Sequence, residues 1–257
     1  GWGSNGIFLG TENAAAINIH NNFIWDVSSV GFGGVDESDN GYGMMVYTGS
    51  GYNIYYNSIS MATSQTNSSS ITAAINISTF ISDINGLNIR NNIFSNTQSV
   101  GTRYAIYSAA PASVYQNINY NDYYFTGAAL GFLSSARATL AAWQTATGKD
   151  ANSVSINPNF ISATDLHLQT TSLLNGLATP IAGITTDIDG TTRSVTVPDI
   201  GADEFNAGAC SSSTGGIASA SPISICGSGT VSLSASGYSL GDNIVYQWQS
   251  SPDNSTW

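Results

Sequence analysis

The chain has 257 residues, of which only 8% are charged; five Lys plus Arg face sixteen Asp plus Glu, for a formal net charge of −11. No basic stripe is present to neutralise phosphates, which argues against nucleic-acid binding, and no apolar run nears the roughly 18 residues of a membrane span. The polarity is carried by Asn, Ser, Thr and Gly, a composition suited to an exported β protein, and the length allows one large repeat domain and part of another.

In chain order, the first expected strand is Gly6-Ile7-Phe8-Leu9, and a corner follows in Ile17-Asn18-Ile19-His20-Asn21-Asn22-Phe23-Ile24. The same pair of features recurs: Met44 to Tyr47 with Tyr52 to Ile59, Ala74 to Ile77 with Leu87 to Phe94, and Ala105 to Tyr107 with Gln116 to Tyr123. Aligned, the copies give a column of Asn18, Asn53, Asn88 and Asn117, a column of Ile19, Ile54, Ile89 and Ile118, and a column of Asn22, Asn57, Asn92 and Asn121. A period of about 30–35 residues is that of stacked repeats. Within one copy the apolar positions alternate and then break at the asparagines, so each copy reads as strand, bend and strand, not as a helix face. Asn tolerates the left-handed backbone of a sharp corner. Stacked in parallel, Asn22, Asn57, Asn92 and Asn121 would bond one another as a ladder, while the isoleucines bury one another. The expected fold is all-β: a right-handed parallel β-helix over 1–205 with one short helix.

Between the copies, residues 30–43 and 62–70 are the longest excursions and read as exposed loops. The first holds Asp36, Glu37 and Asp39, hard oxygen ligands in a Gly-rich stretch that offer a calcium site, although the full calcium-loop spacing is missing. No other cofactor is expected. Tyr55, Tyr56, Tyr115, Tyr120 and Tyr123 lie in or beside the corners; on one face they would suit stacking on sugars, and inside the repeats they would be filling. The convincing helix is Ser134 to Gly148, with Ser to cap its start, Leu133, Leu140 and Trp143 as its apolar side, and Gly148 as a left-handed C-cap. Further rungs are expected from Phe160-Ile161, Leu166 to Leu168, Leu173-Leu174 and Ile200. Arg193 is expected to form an exposed pair with Asp187, Asp189 or Asp199.

Thr139-Leu140-Ala141-Ala142-Trp143-Gln144, Thr147 to Ser153, Asn157-Pro158-Asn159-Phe160, Asp165-Leu166-His167-Leu168, Asp187-Ile188-Asp189-Gly190 and the closing Asp199-Ile200-Gly201-Ala202-Asp203-Glu204-Phe205 occur in this order. Together with the repeats they resemble bacterial right-handed parallel β-helix surface proteins of pectate-lyase-like repeat type. After a Gly/Ser/Ala-rich linker at 206–217, residues 218–257 resemble the start of an immunoglobulin-like β-sandwich of the kind found in Bacteroidota surface proteins, carried by Cys226 and Tyr246-Gln247-Trp248. A complete sandwich needs roughly seven strands, so the chain reads as a piece of a longer protein. The resemblance implies a secreted or cell-surface location and export by outer-membrane machinery of the type IX route. In an exported protein Cys210 and Cys226 are disulfide candidates; the alternatives are pairing of Cys226 with a cysteine beyond residue 257, or a free thiol.

Parallel β-helices often act on polysaccharides, yet fold alone does not assign activity. Lyases of this kind need a cationic base, and Lys149 is the only lysine, while Arg90 and Arg103 are the only arginines of the repeats. No Asp-Asp pair, nucleophile motif, phosphate loop or zinc-spaced Cys/His set is present. No catalytic residue is therefore assigned. The expected role is a non-catalytic stalk or adhesin segment that meets a surface glycan or other cell-surface components, with self-stacking into filaments as a further form of partnership. The alternative is a polysaccharide lyase or glycoside hydrolase with its site in the two long loops.

Overall fold

The computed structural model describes residues 3–30, 40–206, 216–222 and 228–238. Two compact units are present, 1–208 and 209–257. The first is all-β with one short helix. Its strands are β1 (Ser4–His20), β2 (Phe23–Trp25), β3 (Gly41–Tyr55), β4 (Ser58–Met61), β5 (Ile71–Ile77), β6 (Leu87–Arg90) and β7 (Ile93–Asn96). They continue with β8 (Thr102–Ser108), β9 (Tyr115–Asn119), β10 (Asp122–Phe125), β11 (Gly131–Leu133) and β12 (Ser135–Arg137), and the helix α1 covers Leu140–Thr147.

Strands one repeat apart pair in parallel. β3 is long enough to hold β5 along its first half and β6 along its second, with β1 on its other edge, and β8 and β9 extend the two arms. A second sheet runs β10-β7-β4-β2. The register follows the columns of the sequence: Asn18 opposes Asn53, Asn53 opposes Asn88 and Asn88 opposes Asn117, with the isoleucines beside them. In the second sheet Ile24, Ile59, Phe94 and Tyr123 align. The two sheets bury these columns against one another in one core, joined by Met44, Ile75 and Ile106. Where they approach most closely the first sheet carries Gly6, Gly43, Ala74 and Ala105; a Cβ on Gly43 would lie 2.3 Å from Ile59 Cγ2 and 2.6 Å from the Ala74 carbonyl oxygen. Small residues there are a packing requirement.

The corner between the sheets has two parts. Asn21, Tyr56, Asn91 and Tyr120 adopt left-handed backbone, with φ of 55, 49, 63 and 58°. The next residue in each copy is the ladder asparagine. Asn22 Nδ2 donates to Asn57 Oδ1 at 2.7 Å, Asn57 to Asn92 at 2.9 Å and Asn92 to Asn121 at 3.0 Å. Each acceptor oxygen also takes the backbone N–H of the preceding ladder residue. Asn57, Asn92 and Asn121 are fully buried, and their amides reach backbone carbonyls as well, so burial leaves them satisfied.

The ladder ends on a built cap. Asn121 N–H donates to Ser153 Oγ at 2.8 Å, and Ser153 Oγ donates to the Asp150 carboxylate. Tyr123 OH and Trp143 Nε1 donate to the same carboxylate at 2.6 and 2.7 Å, and all of these groups are buried. Trp143, on α1, is the large side chain that fills this end of the core. The helix is shorter than expected: Ser135–Arg137 pair antiparallel with β11, and Thr139, not a serine, accepts the Ala142 N–H as N-cap. Gly148 closes it at φ 65°, as expected.

Beyond Val154, which bridges to Asp122, the expected rungs at 160–161, 166–168, 173–174 and 200 do not form. That segment instead folds back on the corners of the earlier repeats. Leu168, Leu174, Ala178, Ile181 and Ile200 pack with Tyr55, Tyr56 and Ile93 into a second apolar cluster. Too few consecutive residues alternate there for a strand, and Pro158, Pro180 and Pro198 deny ladder donors. Of the two long excursions, residues 41–43 are buried strand, and Gln65 and Ser70 are buried too, so neither stretch is wholly an exposed loop. In the second unit β13 (Ile217–Ser221) pairs antiparallel with β14 (Ser232–Ser236). Cys210, Cys226, Tyr246 to Trp248 and the acidic trio Asp36, Glu37 and Asp39 lie outside the described residues.

Candidate functional site

The tyrosines proposed as a sugar platform are mostly interior. Tyr56, Tyr115 and Tyr123 are fully buried, Tyr55 is 7% exposed and Tyr120 is half-buried. A buried ring has no free face, so the four buried tyrosines do not make a stacking surface, and of the five only Tyr120 stays partly exposed. Tyr115 and Tyr123 lie in the core between the sheets, and Tyr55 and Tyr56 lie beneath the folded-back segment. Tyr56 shows the second case: its OH donates to the Thr179 carbonyl at 2.8 Å, and burial pushes its pKa up to about 12.

On the surface, a groove of about 320 Å³ opens where residues 181–184 pass beside Asn18 and the outward column of His20, Tyr55 and Arg90. His20, Tyr55 and Arg90 are in register on β1, β3 and β6. The Arg90 guanidinium lies 5.1 Å from the Tyr55 ring centroid, its Nε donates to Asn88 Oδ1 at 2.9 Å and one terminal nitrogen donates to Tyr55 OH at 3.4 Å. Arg90 is thus a positioned donor. The other arginine of the repeats, Arg103, donates to the Gly101 carbonyl at 2.9 Å. The groove collects amide, imidazole and guanidinium donors beside an aromatic edge, which is chemistry for hydroxyl and carboxylate oxygens.

The charged residues of the closing segment gather behind it. Arg193 is 3% exposed and forms no exposed pair with Asp187, Asp189 or Asp199; its partner is Glu204, at 3.3 Å. It also donates to Asn21 Oδ1 and to the Gly201 and Ala202 carbonyls, and it stacks 4.0 Å above the Tyr56 ring. Burial lowers its pKa against the pull of Tyr56 and Glu204. Asp187 accepts the Asp189 and Thr191 N–H groups on one oxygen and that of Glu204 on the other. Asp199 accepts from Gly176 and Phe205, and Gly201, at φ 104°, lets the chain pass within reach of Ser58 Oγ, which the Ala202 N–H contacts at 3.0 Å. Arg193, Asp187, Asp199 and Gly201 are therefore architectural: with Thr179 they pin the closing segment onto the first three corners.

One set is built differently. His167 has Asp165 Oδ1 2.5 Å from Nδ1 and Asp189 Oδ2 2.7 Å from Nε2, with the ring edge-on to Phe23. Asp203 stands close by. Burial would lower the His167 pKa, but the two carboxylate hydrogen bonds and the Asp203 charge raise it overall. Sequence reading passed over this set because Asp165, His167, Asp189 and Asp203 meet only after the segment folds back. The signal it did carry was an Asp two residues before a His. Comparison with protein-family models, with curated proteins and with solved structures found no match.

Proposed function

We propose that residues 1–205 form a right-handed parallel β-helix that serves as a non-catalytic stalk or adhesin segment of an exported, modular cell-surface protein. The observation that carries this reading is the in-register asparagine ladder, Asn22 to Asn57 to Asn92 to Asn121. It links each repeat to the next through buried polar groups, so the repeats resist opening separately, which is what a stiff spacer requires. Export fits the scarcity of lysine and the acidic, Asn-rich composition. The groove of His20, Tyr55 and Arg90 is where a surface glycan would be held.

Amide hydrogen exchange and a polysaccharide panel test this together. Amides of β3, β5, β6 and β7 are expected to exchange only through global opening, and the protein to retain a glycan on a column in a manner abolished by Arg90→Ala. Retention without turnover supports an adhesin, and slow exchange with neither supports a spacer. Release of unsaturated products or reducing ends would replace both with a lyase or hydrolase.

A further inference from the structure

His167, Asp189 and Asp203 offer one ligand atom each, all within 4.8 Å of one another. Tetrahedral ligands about 2.1 Å from a zinc ion lie about 3.4 Å apart, so small side-chain rotations would close the set. Three features separate it from a solvated acidic patch. The first is orientation: the Asp165 carboxylate accepts from Nδ1–H and turns Nε2 toward Asp189, the carboxylate–histidine arrangement by which metal-ligating imidazoles are aimed. The second is an open acceptor. Asp203 is 6% exposed and spends one oxygen on the Leu168 N–H at 2.8 Å, while no hydrogen-bond donor among the described residues reaches the other. That second oxygen reaches solvent and is free to coordinate a cation. The third is charge: three carboxylates surround one imidazole, so even with a protonated ring the site holds an excess of negative charge that a divalent ion would neutralise.

We infer that His167 Nε2, Asp189 and Asp203 bind a first-row divalent cation, with Asp165 as the residue that positions the histidine. A mixed imidazole and carboxylate set favours Zn²⁺ or its neighbours over calcium, which takes six to eight oxygens. Three protein ligands leave room for water in the fourth place. Such an ion would join the 165–168 stretch, the 187–190 turn and the closing 199–205 stretch, three pieces that sequence separates.

The test uses the whole chain, stripped with EDTA, titrated with Zn²⁺ by calorimetry and with Co²⁺ by visible absorption. One ion per chain is expected, with a Co²⁺ band of mixed nitrogen and oxygen ligation and a rise in melting temperature on Zn²⁺ addition. His167→Gln and Asp203→Asn should each weaken binding at least tenfold. Asp189→Asn should do the same from an exposed position that keeps an oxygen acceptor for His167, and it decides the matter if either of the others fails to fold by circular dichroism. No binding of either ion would overturn the assignment. So would binding that survives all these substitutions, which would put the ion on Asp36, Glu37 and Asp39, or a site that takes calcium in preference and ignores His167→Gln.

Discussion

At the scale of single residues, the same letter does different work at adjacent positions of the corner. The ladder asparagine is buried and uses both ends of its amide, whereas the residue before it is chosen for backbone conformation. Asn92→Ala would strand the Asn57 N–H and take one partner each from the Asn57 amide, the Asn121 oxygen and two carbonyls. With buried unpaired groups costing roughly 1–3 kcal/mol each, partly relieved by water, a loss on the order of 3 kcal/mol is expected by urea denaturation. Asn22→Ala, at the half-buried end of the ladder, should cost less than about 1 kcal/mol. The left-handed column behaves oppositely. Tyr120 carries the steric penalty of that conformation, which Asn tolerates better, so Tyr120→Asn should stabilise by about 1 kcal/mol. A drop in the urea midpoint for Tyr120→Asn would show that its half-buried ring matters more than its backbone.

At the scale of elements, the strands and their register were legible because a repeat prints its register in the sequence: identical residues in one column must be neighbours. A one-residue slip of Asn53 against Asn18 and Asn88 would turn Ile54 out of the core. The helix was half legible. Gly148 announced its end, but Ser134 and Ser135 imitated a start that belongs to Thr139, since a local cap signal does not reveal that 135–137 will pair with β11. The folded-back segment was not legible, because its strand-like fragments are held by irregular backbone and by contacts to residues more than a hundred positions away. The candidate cation site shared that fate. Within α1 the decisive side chain is Trp143, which fills the end of the core and donates to Asp150. Trp143→Ala is expected to cost about 3–5 kcal/mol and to expose the Asn121 end of the ladder, read as a lower melting temperature and faster exchange at 117–123.

For the whole molecule, buried acids set the pH response. Burial raises the Asp199 pKa to about 7 against its two backbone N–H bonds, with Glu204 adding to the rise. Burial also raises the pKa values of Asp122 and Asp150. A folded pKa above the unfolded one means that the native state holds a proton the unfolded chain has released. For Asp199 the stabilisation is therefore full below about pH 4 and is lost as pH rises to about 7. The urea midpoint should be higher at pH 5 than at pH 7.5, and Asp199→Asn should reduce that difference. A midpoint rising over that range would contradict the assignment.

The cap on the ladder gives the stack a direction. At the end holding Asp150, Ser153 and Trp143, the last asparagine is already bonded and covered; at the other, β1 and β2 are edge strands and Asn22 is only half-buried. A further asparagine laid against Asn22 would donate its amide to Asn22 Oδ1, as Asn22 does to Asn57. The ladder therefore has a polarity, and any rung added at the open end must match it in direction as well as in register.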